Sequence, residues 1–229
     1  EINVMFQSII LAGGFGTRLK SISGDIPKPM VIVGGEPFLY MLMRRLEEQG
    51  CEHIVVSLHY RSEYIIEKIE HDKPVSCRVS FCVEETPLGT GGAIKKSSSL
   101  ISANSFVVLN GDTLCDIDYS ELLTAALDVD LIIAAAGVSD VSRYGRLVID
   151  EGKNIIELNE KNNTGPGLIN AGTYVVNTKD IQNVTKTSFS FEHDFLPHFR
   201  GRIKALLVHG EFVDIGVPLD YNYACKKFS

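Results

Sequence analysis

What is missing from this chain narrows its function before any motif is considered. Its five cysteines, at 51, 77, 82, 115 and 225, contain no C-x-x-C pair, and its six histidines do not cluster with them. A zinc site or a disulfide framework is therefore not expected, and the pattern fits reduced, buried thiols in a cytoplasmic protein. There is no excess of basic charge: the net charge is -7. That argues against a general nucleic-acid or membrane binder, since these present basic patches. No long hydrophobic run is present. The strongest apolar stretch, Leu131 to Val138, is far shorter than the roughly 20 residues a bilayer span needs. The first residues lack the basic segment of a secretory leader. Repeats, low-complexity runs and linkers are also missing, so residues 1–229 are expected to form one domain.

Two common phosphate-binding motifs are missing as well. The G-x-x-x-x-G-K-[ST] loop of nucleoside triphosphatases does not occur. A G-x-G-x-x-G dinucleotide fingerprint starting at Gly14 would need glycine at position 19, which is Leu19.

What is there is a different glycine loop, LAGGFGTRL at residues 11–19, following the apolar run Ser8-Ile9-Ile10. Glycines let a backbone approach a ligand closely. Successive N–H groups in such a turn form an anion-binding concavity. Thr17 adds a hydroxyl, and Arg18 adds a cation that can fork onto phosphate oxygens. The loop looks built for a polyphosphate, although a tight strand-to-helix turn would use the same glycines.

Apolar periodicity predicts strands at 8–12, 53–59, 79–83, 106–109 and 131–137. They alternate with helices at 37–49, 62–70 (capped by Ser62), 91–101 and 118–128. Such alternation implies an α/β fold with a mostly parallel sheet and helices on both faces. After residue 140 the strands shorten, at 146–149, 154–158, 170–176 and 203–208, with helices at 178–184, 190–199 and 217–227. Exposed strands in this region could pair two copies into a homodimer. In open α/β sheets, ligands bind beyond the carboxyl ends of the strands, where the glycine loop, Glu84-Glu85 and Asn110-Gly111-Asp112 all fall.

Other candidates follow the loop. PKPM at 27–30 holds Lys28 between stiffening prolines. Asp112, at the end of FVVLNGD, suits magnesium bound together with substrate phosphates, and Asp214 in VDIG is a second candidate ligand. Either aspartate could instead cap a turn. PLGTGGA at 87–93 is a second glycine turn. Guanine offers two adjacent donors, which one carboxylate can accept together, so Glu84 or Glu85 is a candidate base reader. His193 and Asp194 in SFEHDFLP read as helix capping, because no nucleophile motif accompanies them.

The ordered set LAGGxGTRL, PKPM, PLGTGGA, NGD, EK, NAG and VDIG resembles the sugar-1-phosphate nucleotidyltransferases over nearly the whole chain. PLGTGGA and GLINAG look most like the D-glycero-D-manno-heptose 1-phosphate guanylyltransferases, with the mannose-1-phosphate guanylyltransferases next. The resemblance implies a Rossmann-like three-layer sandwich with a mixed, mostly parallel central sheet, and GTP and a sugar 1-phosphate as substrates. It also implies that Leu11, Ala12, Gly13, Gly14, Gly16, Thr17, Glu84, Gly89 and Gly111 hold the nucleotide. Arg18, Lys28 and Asp112 would be catalytic, and Asp112 and Asp214 would hold Mg²⁺. Gly145, Glu160, Lys161, Asn170 and Gly172 would contact the sugar phosphate. The family's EKP here reads Glu160-Lys161-Asn162. Glycosyltransferases that consume nucleotide sugars usually carry D-x-D, and this strand ends in N-G-D. A choline-phosphate-type cytidylyltransferase would instead require CTP. A non-catalytic relative would have lost Arg18, Lys28 or an aspartate, and all of these are present.

Overall fold

The computed structural model describes residues 5–16, 19, 24–159 and 164–228. Strand β1 (Phe6–Leu11) is followed by the short hairpin β2 (Ile32–Val33) and β3 (Glu36–Pro37), then helix α1 (Phe38–Glu48). Phe38, Leu39, Leu42, Met43 and Leu46 on α1 are buried, which is the stripe that helical spacing demands. The helix stops at Gly50, whose φ of 97° ends the turn. Then come β4 (Cys51–Leu58), α2 (Ser62–Asp72), β5 (Arg78–Val83), α3 (Gly89–Ser98), β6 (Ser105–Asn110) and β7 (Thr113–Cys115). Ser62 is the first residue of α2 rather than its cap. The capping position is Arg61, which is left-handed and contributes no side-chain bond. By contrast, α4 (Tyr119–Ala125) is capped by Asp118, which accepts from the Ser120 and Glu121 N–H groups.

The remaining elements are β8 (Leu131–Val138), β9 (Arg146–Ile149), β10 (Ile155–Asn159), β11 (Gly167–Asn177), α5 (Thr178–Gln182), β12 (Ile203–Leu207), β13 (Phe212–Asp214) and α6 (Pro218–Lys227). The helix expected over 190–199 is instead a π-type turn at Phe191–Phe195 followed by a 3₁₀ turn at Leu196–His198. The strands β2, β3, β7 and β13 were not anticipated. They are two or three residues long, too short for a period-two pattern to register.

Among the described residues, nine strands form one sheet. β5, β4, β1 and β6 run parallel, β11 lies antiparallel between β6 and β8, and β12 runs parallel to β8. All but β11 of these seven therefore point the same way. The β9–β10 hairpin joins the first half of β11. Both faces are covered, so successive residues of a strand enter opposite cores. Ile9 packs with Val55, Val108 and Phe191 on one side, while Ile10 packs with Val56, Leu109 and Leu46 on the other.

Three backbone hydrogen bonds knit the carboxyl ends of the parallel strands: Ala12 N–H to Ser57 O at 2.9 Å, Gly111 N–H to Leu11 O at 2.9 Å and Glu84 N–H to Leu58 O at 2.8 Å. They set the glycine loop, the Glu84 turn and the Asn110-Gly111-Asp112 turn side by side. Burial pushes the thiols of Cys51 and Cys115 up to about 12, so they stay protonated. Among the described residues, no helix is long and apolar enough to cross a membrane.

Candidate active site

Two cavities open along the carboxyl edge of the sheet, and they share a wall. The first, of about 330 Å³, is lined by Leu11 to Gly14 and by Lys28, Glu84, Gly89, Gly111 and Asp112. The second, of about 520 Å³, is lined by Gly145, Asn170, Gly172, Asp112 and Asp214. Asn110 and Asp112 border both. The sequence reading thus divides into two groups in space, with Asp112 at their junction. Thr17, Arg18, Glu160 and Lys161 lie outside the described residues.

Four glycines, Gly13, Gly14, Gly89 and Gly111, line the first cavity. Gly16 has a φ of 61°, and a Cβ there would come within 2.7 Å of the Lys28 Cβ. Only glycine lets the loop lie against the lysine. Lys28 sits in a 3₁₀ turn, Lys28–Met30, and its ammonium is ion-paired with Asp112. Glu84 is buried. Its Oε2 accepts from the Leu88 N–H at 2.9 Å, and its Oε1 faces the Ser57 hydroxyl at 3.4 Å. Two carboxylate oxygens carry about four acceptor sites, so Glu84 retains capacity toward the cavity. Glu85 is exposed and does not line it. His59 also lines this cavity, and its Nδ1 is 2.9 Å from the Glu84 carbonyl. A carbonyl can only accept, so Nδ1 carries the proton.

The second cavity is richer in charged residues: Asp112, Arg143, Arg146, Glu192 and Asp214 line it. Asp214 is opposite Thr113 in the β7–β13 ladder, one residue from Asp112, and the Ile215 N–H donates to the Asp112 carbonyl at 3.0 Å. Burial, followed by the nearby charge of Asp112, raises the carboxyl pKa of Asp214. Two carboxylates held this close, one of them desolvated, form a site that a cation would relieve. Gly172, at the bend in β11, has a φ of 72°, and a Cβ there would lie 2.5 Å from the Asn110 Nδ2. Sequence reasoning missed Arg143, Arg146 and Glu192, which also line the second cavity. Arg143 is paired with Asp220, whereas Arg146 has no ion pair among the described residues. Of His193 and Asp194, Asp194 helps cap the turn: Ser190 is the cap, its hydroxyl accepting from the His193 N–H at 3.1 Å, and its own N–H donates to Asp194 at 2.7 Å.

A mixed α/β sheet with a glycine loop, a fixed lysine and two aspartates from distant strands at its carboxyl edge defines a phosphate-handling protein. The chain belongs to the nucleotidyl transferase family, whose model matches residues 7–217. It is 39% identical to a D-glycero-alpha-D-manno-heptose 1-phosphate guanylyltransferase of Campylobacter jejuni, over 95% of this chain and 97% of that one. It is 30% identical to a mannose-1-phosphate guanyltransferase of Yarrowia lipolytica, over 94% of this chain and 62% of the relative. HddC from Yersinia pseudotuberculosis superposes with a TM-score of 0.92 at 50% identity, covering 98% of this chain and 100% of that one, and has also been solved in complex with GMP-PN.

Proposed function

We propose that this chain is a guanylyltransferase that joins a sugar 1-phosphate to GTP, giving a GDP-sugar and pyrophosphate. The sugar is D-glycero-α-D-manno-heptose 1-phosphate. The observation that carries the proposal is the shared wall: two anion-sized cavities meet at Asn110 and Asp112, beside Lys28. The names of the relatives from Campylobacter and Yersinia support the nucleotide and the sugar.

In this reading the triphosphate lies along Leu11 to Gly14, with the base against Glu84. The sugar phosphate lies among Gly145, Asn170 and Gly172. A phosphate-monoester oxygen attacks the α-phosphorus, a new P–O bond forms, and the bond to the β-phosphate oxygen breaks as pyrophosphate leaves. The monoester's second pKa is about 6, so the nucleophile is already ionised at neutral pH and needs no base. The difficulty is repulsion between two anions. Lys28 can turn from Asp112 to the phosphates, and Arg18 and Lys161 add cations, so the protein works by positioning and charge compensation. Arg146 is a further cation on the sugar side. Asp112 and Asp214 fit Mg²⁺, an ion that takes one or two carboxylates together with phosphate oxygens. When bound it would neutralise phosphate charge and hold the reacting groups in line. Reduced, buried thiols suit the cytoplasm, where GTP is supplied.

Mannose 1-phosphate is the competing sugar, because relatives named for it cover 94% of this chain at 30% identity. A pyrophosphate-release assay over a grid of nucleoside triphosphates and sugar 1-phosphates tests both assignments. The heptose ester with GTP should give the highest kcat/KM. Equal rates with UTP or dTTP would refute the guanine assignment, and higher rates with mannose 1-phosphate would refute the heptose.

A further inference from the structure

A chain of hydrogen bonds runs from one cavity wall to the other through Glu192. Thr90, in the wall of the first cavity, donates its hydroxyl to Glu192 Oε2 at 2.6 Å. Tyr174, fully buried, donates to Glu192 Oε1 at 3.3 Å. Asn170, in the wall of the second cavity, donates its Nδ2 to the Tyr174 hydroxyl at 2.8 Å.

Backbone N–H groups anchor the chain at its two ends. At one end, the Gly172 N–H donates to Asn170 Oδ1 at 2.9 Å, which fixes the amide with its NH₂ toward Tyr174. Tyr174 must then turn its own proton toward residue 192. At the other end, the Phe191 N–H donates to the Thr90 hydroxyl at 2.9 Å, which leaves the Thr90 proton free to point at residue 192. Ser190 adds a third donor, its hydroxyl lying 3.2 Å from Glu192 Oε2. A carboxylate, with two oxygens that accept, answers all three donors. Glutamine offers one accepting oxygen instead of two, so it would answer fewer of these donors. A π-type turn at Phe191–Phe195, an uncommon element often found at functional sites, brings Glu192 to this point.

We propose that Glu192 is a positioning residue that locks Thr90 of the nucleotide cavity and Asn170 of the sugar-phosphate cavity into one fixed relation. The proposal rests on the two-cavity reading of the reaction. It accounts for a charged side chain in SFEHDFLP that the capping by Ser190 and Asp194 leaves unused.

Three variants cut the chain at different points. Tyr174→Phe frees Asn170 and removes one donor to Glu192 but leaves the Thr90–Glu192 bond in place; it should raise the KM for the sugar 1-phosphate about ten-fold, the size of one lost hydrogen bond, with the KM for GTP nearly unchanged. Thr90→Val should do the reverse. Glu192→Gln should raise both. Thermal melts identify any variant that fails to fold, and the other two then decide the matter. Altered melting with both KM values unchanged would overturn the proposal, as would equal changes in both KM values for Tyr174→Phe and Thr90→Val. If the wild-type protein releases no pyrophosphate with any substrate pair, the reaction reading fails by itself. Calorimetry with a non-hydrolysable GTP analogue then tests the relay without turnover. Thr90→Val and Glu192→Gln should weaken its binding about ten-fold, and unchanged affinity in both would overturn the proposal.

Discussion

The two cavities are built by different means. The first is glycine-rich and sits on the ends of parallel strands, knitted together by the bonds among Leu11, Ala12, Ser57, Leu58, Glu84 and Gly111. The second draws on residues of β7, β9, β11, β13 and the π-type turn, including Arg146, Asn170, Glu192 and Asp214. A nucleotide's phosphates are common to many reactions, and a backbone cradle suits them. A sugar must be told from similar sugars, and side chains on a bent, mixed-direction part of the sheet can be exchanged without disturbing the parallel core.

The harshest way to break the comparison is at the shared wall. Asp112→Asn should lower kcat by at least ~10²-fold, the scale of losing one preorganised electrostatic group, as read by pyrophosphate release. Near-normal turnover would separate Asp112 from both halves. A sugar-side lesion should be smaller. Gly172→Ala, whose Cβ would meet Asn110 at 2.5 Å, should raise the KM for the sugar 1-phosphate about ten-fold, since strain at such positions costs on the order of 1–3 kcal/mol. The KM for GTP should rise less; the opposite order would show that the division between the cavities is misdrawn. On the nucleotide side, Glu84→Gln should narrow the preference for GTP over ATP several-fold, about the worth of one charge-assisted hydrogen bond. An unchanged preference in competition assays would remove Glu84 from base reading.

The smallest effect is one of stability. Burial and the charge of Asp112 raise the pKa of Asp214. A raised carboxyl pKa favours the fold below the ordinary carboxylate range, and that benefit is lost as pH rises through the folded value. At neutral pH, with chelator present, ionised Asp214 therefore weakens the fold, and Asp214→Asn should raise the melting midpoint by about 2 °C. The gap should close as the pH falls toward ~4. Adding Mg²⁺ with a GTP analogue should stabilise the wild type more than the variant. A variant that melts lower than wild type at pH 7 in chelator would contradict the charge-strain account.

The same contrast explains how far the site can be read from sequence. LAGGFGTRL and the Asn110-Gly111-Asp112 turn are contiguous, because a backbone cradle is written in consecutive residues. The alternation that predicted the parallel core holds for the same reason. Arg146 and Glu192 carry no local signature, and only the third dimension sets them beside Asn170. The strands β7 and β13, which bring Asp214 next to Asp112, are too short to show periodicity. Their pairing joins residues about a hundred positions apart, and no pattern along the chain announces it. Ser62 shows the reverse error. A good capping residue preceded the helix pattern, but left-handed Arg61 begins the turn one residue earlier.

The central claim is that two anions meet across Asp112. It is tested most directly by a crystal structure with a non-hydrolysable GTP analogue, the heptose 1-phosphate and Mn²⁺ in place of Mg²⁺, with the metal located by anomalous scattering. The account predicts the nucleotide in the Leu11–Gly14 cavity, the sugar phosphate beside Asn170 and Gly172, and the anomalous peak against Asp112 and Asp214. Both ligands in a single cavity, or a metal bound away from those two aspartates, would contradict it.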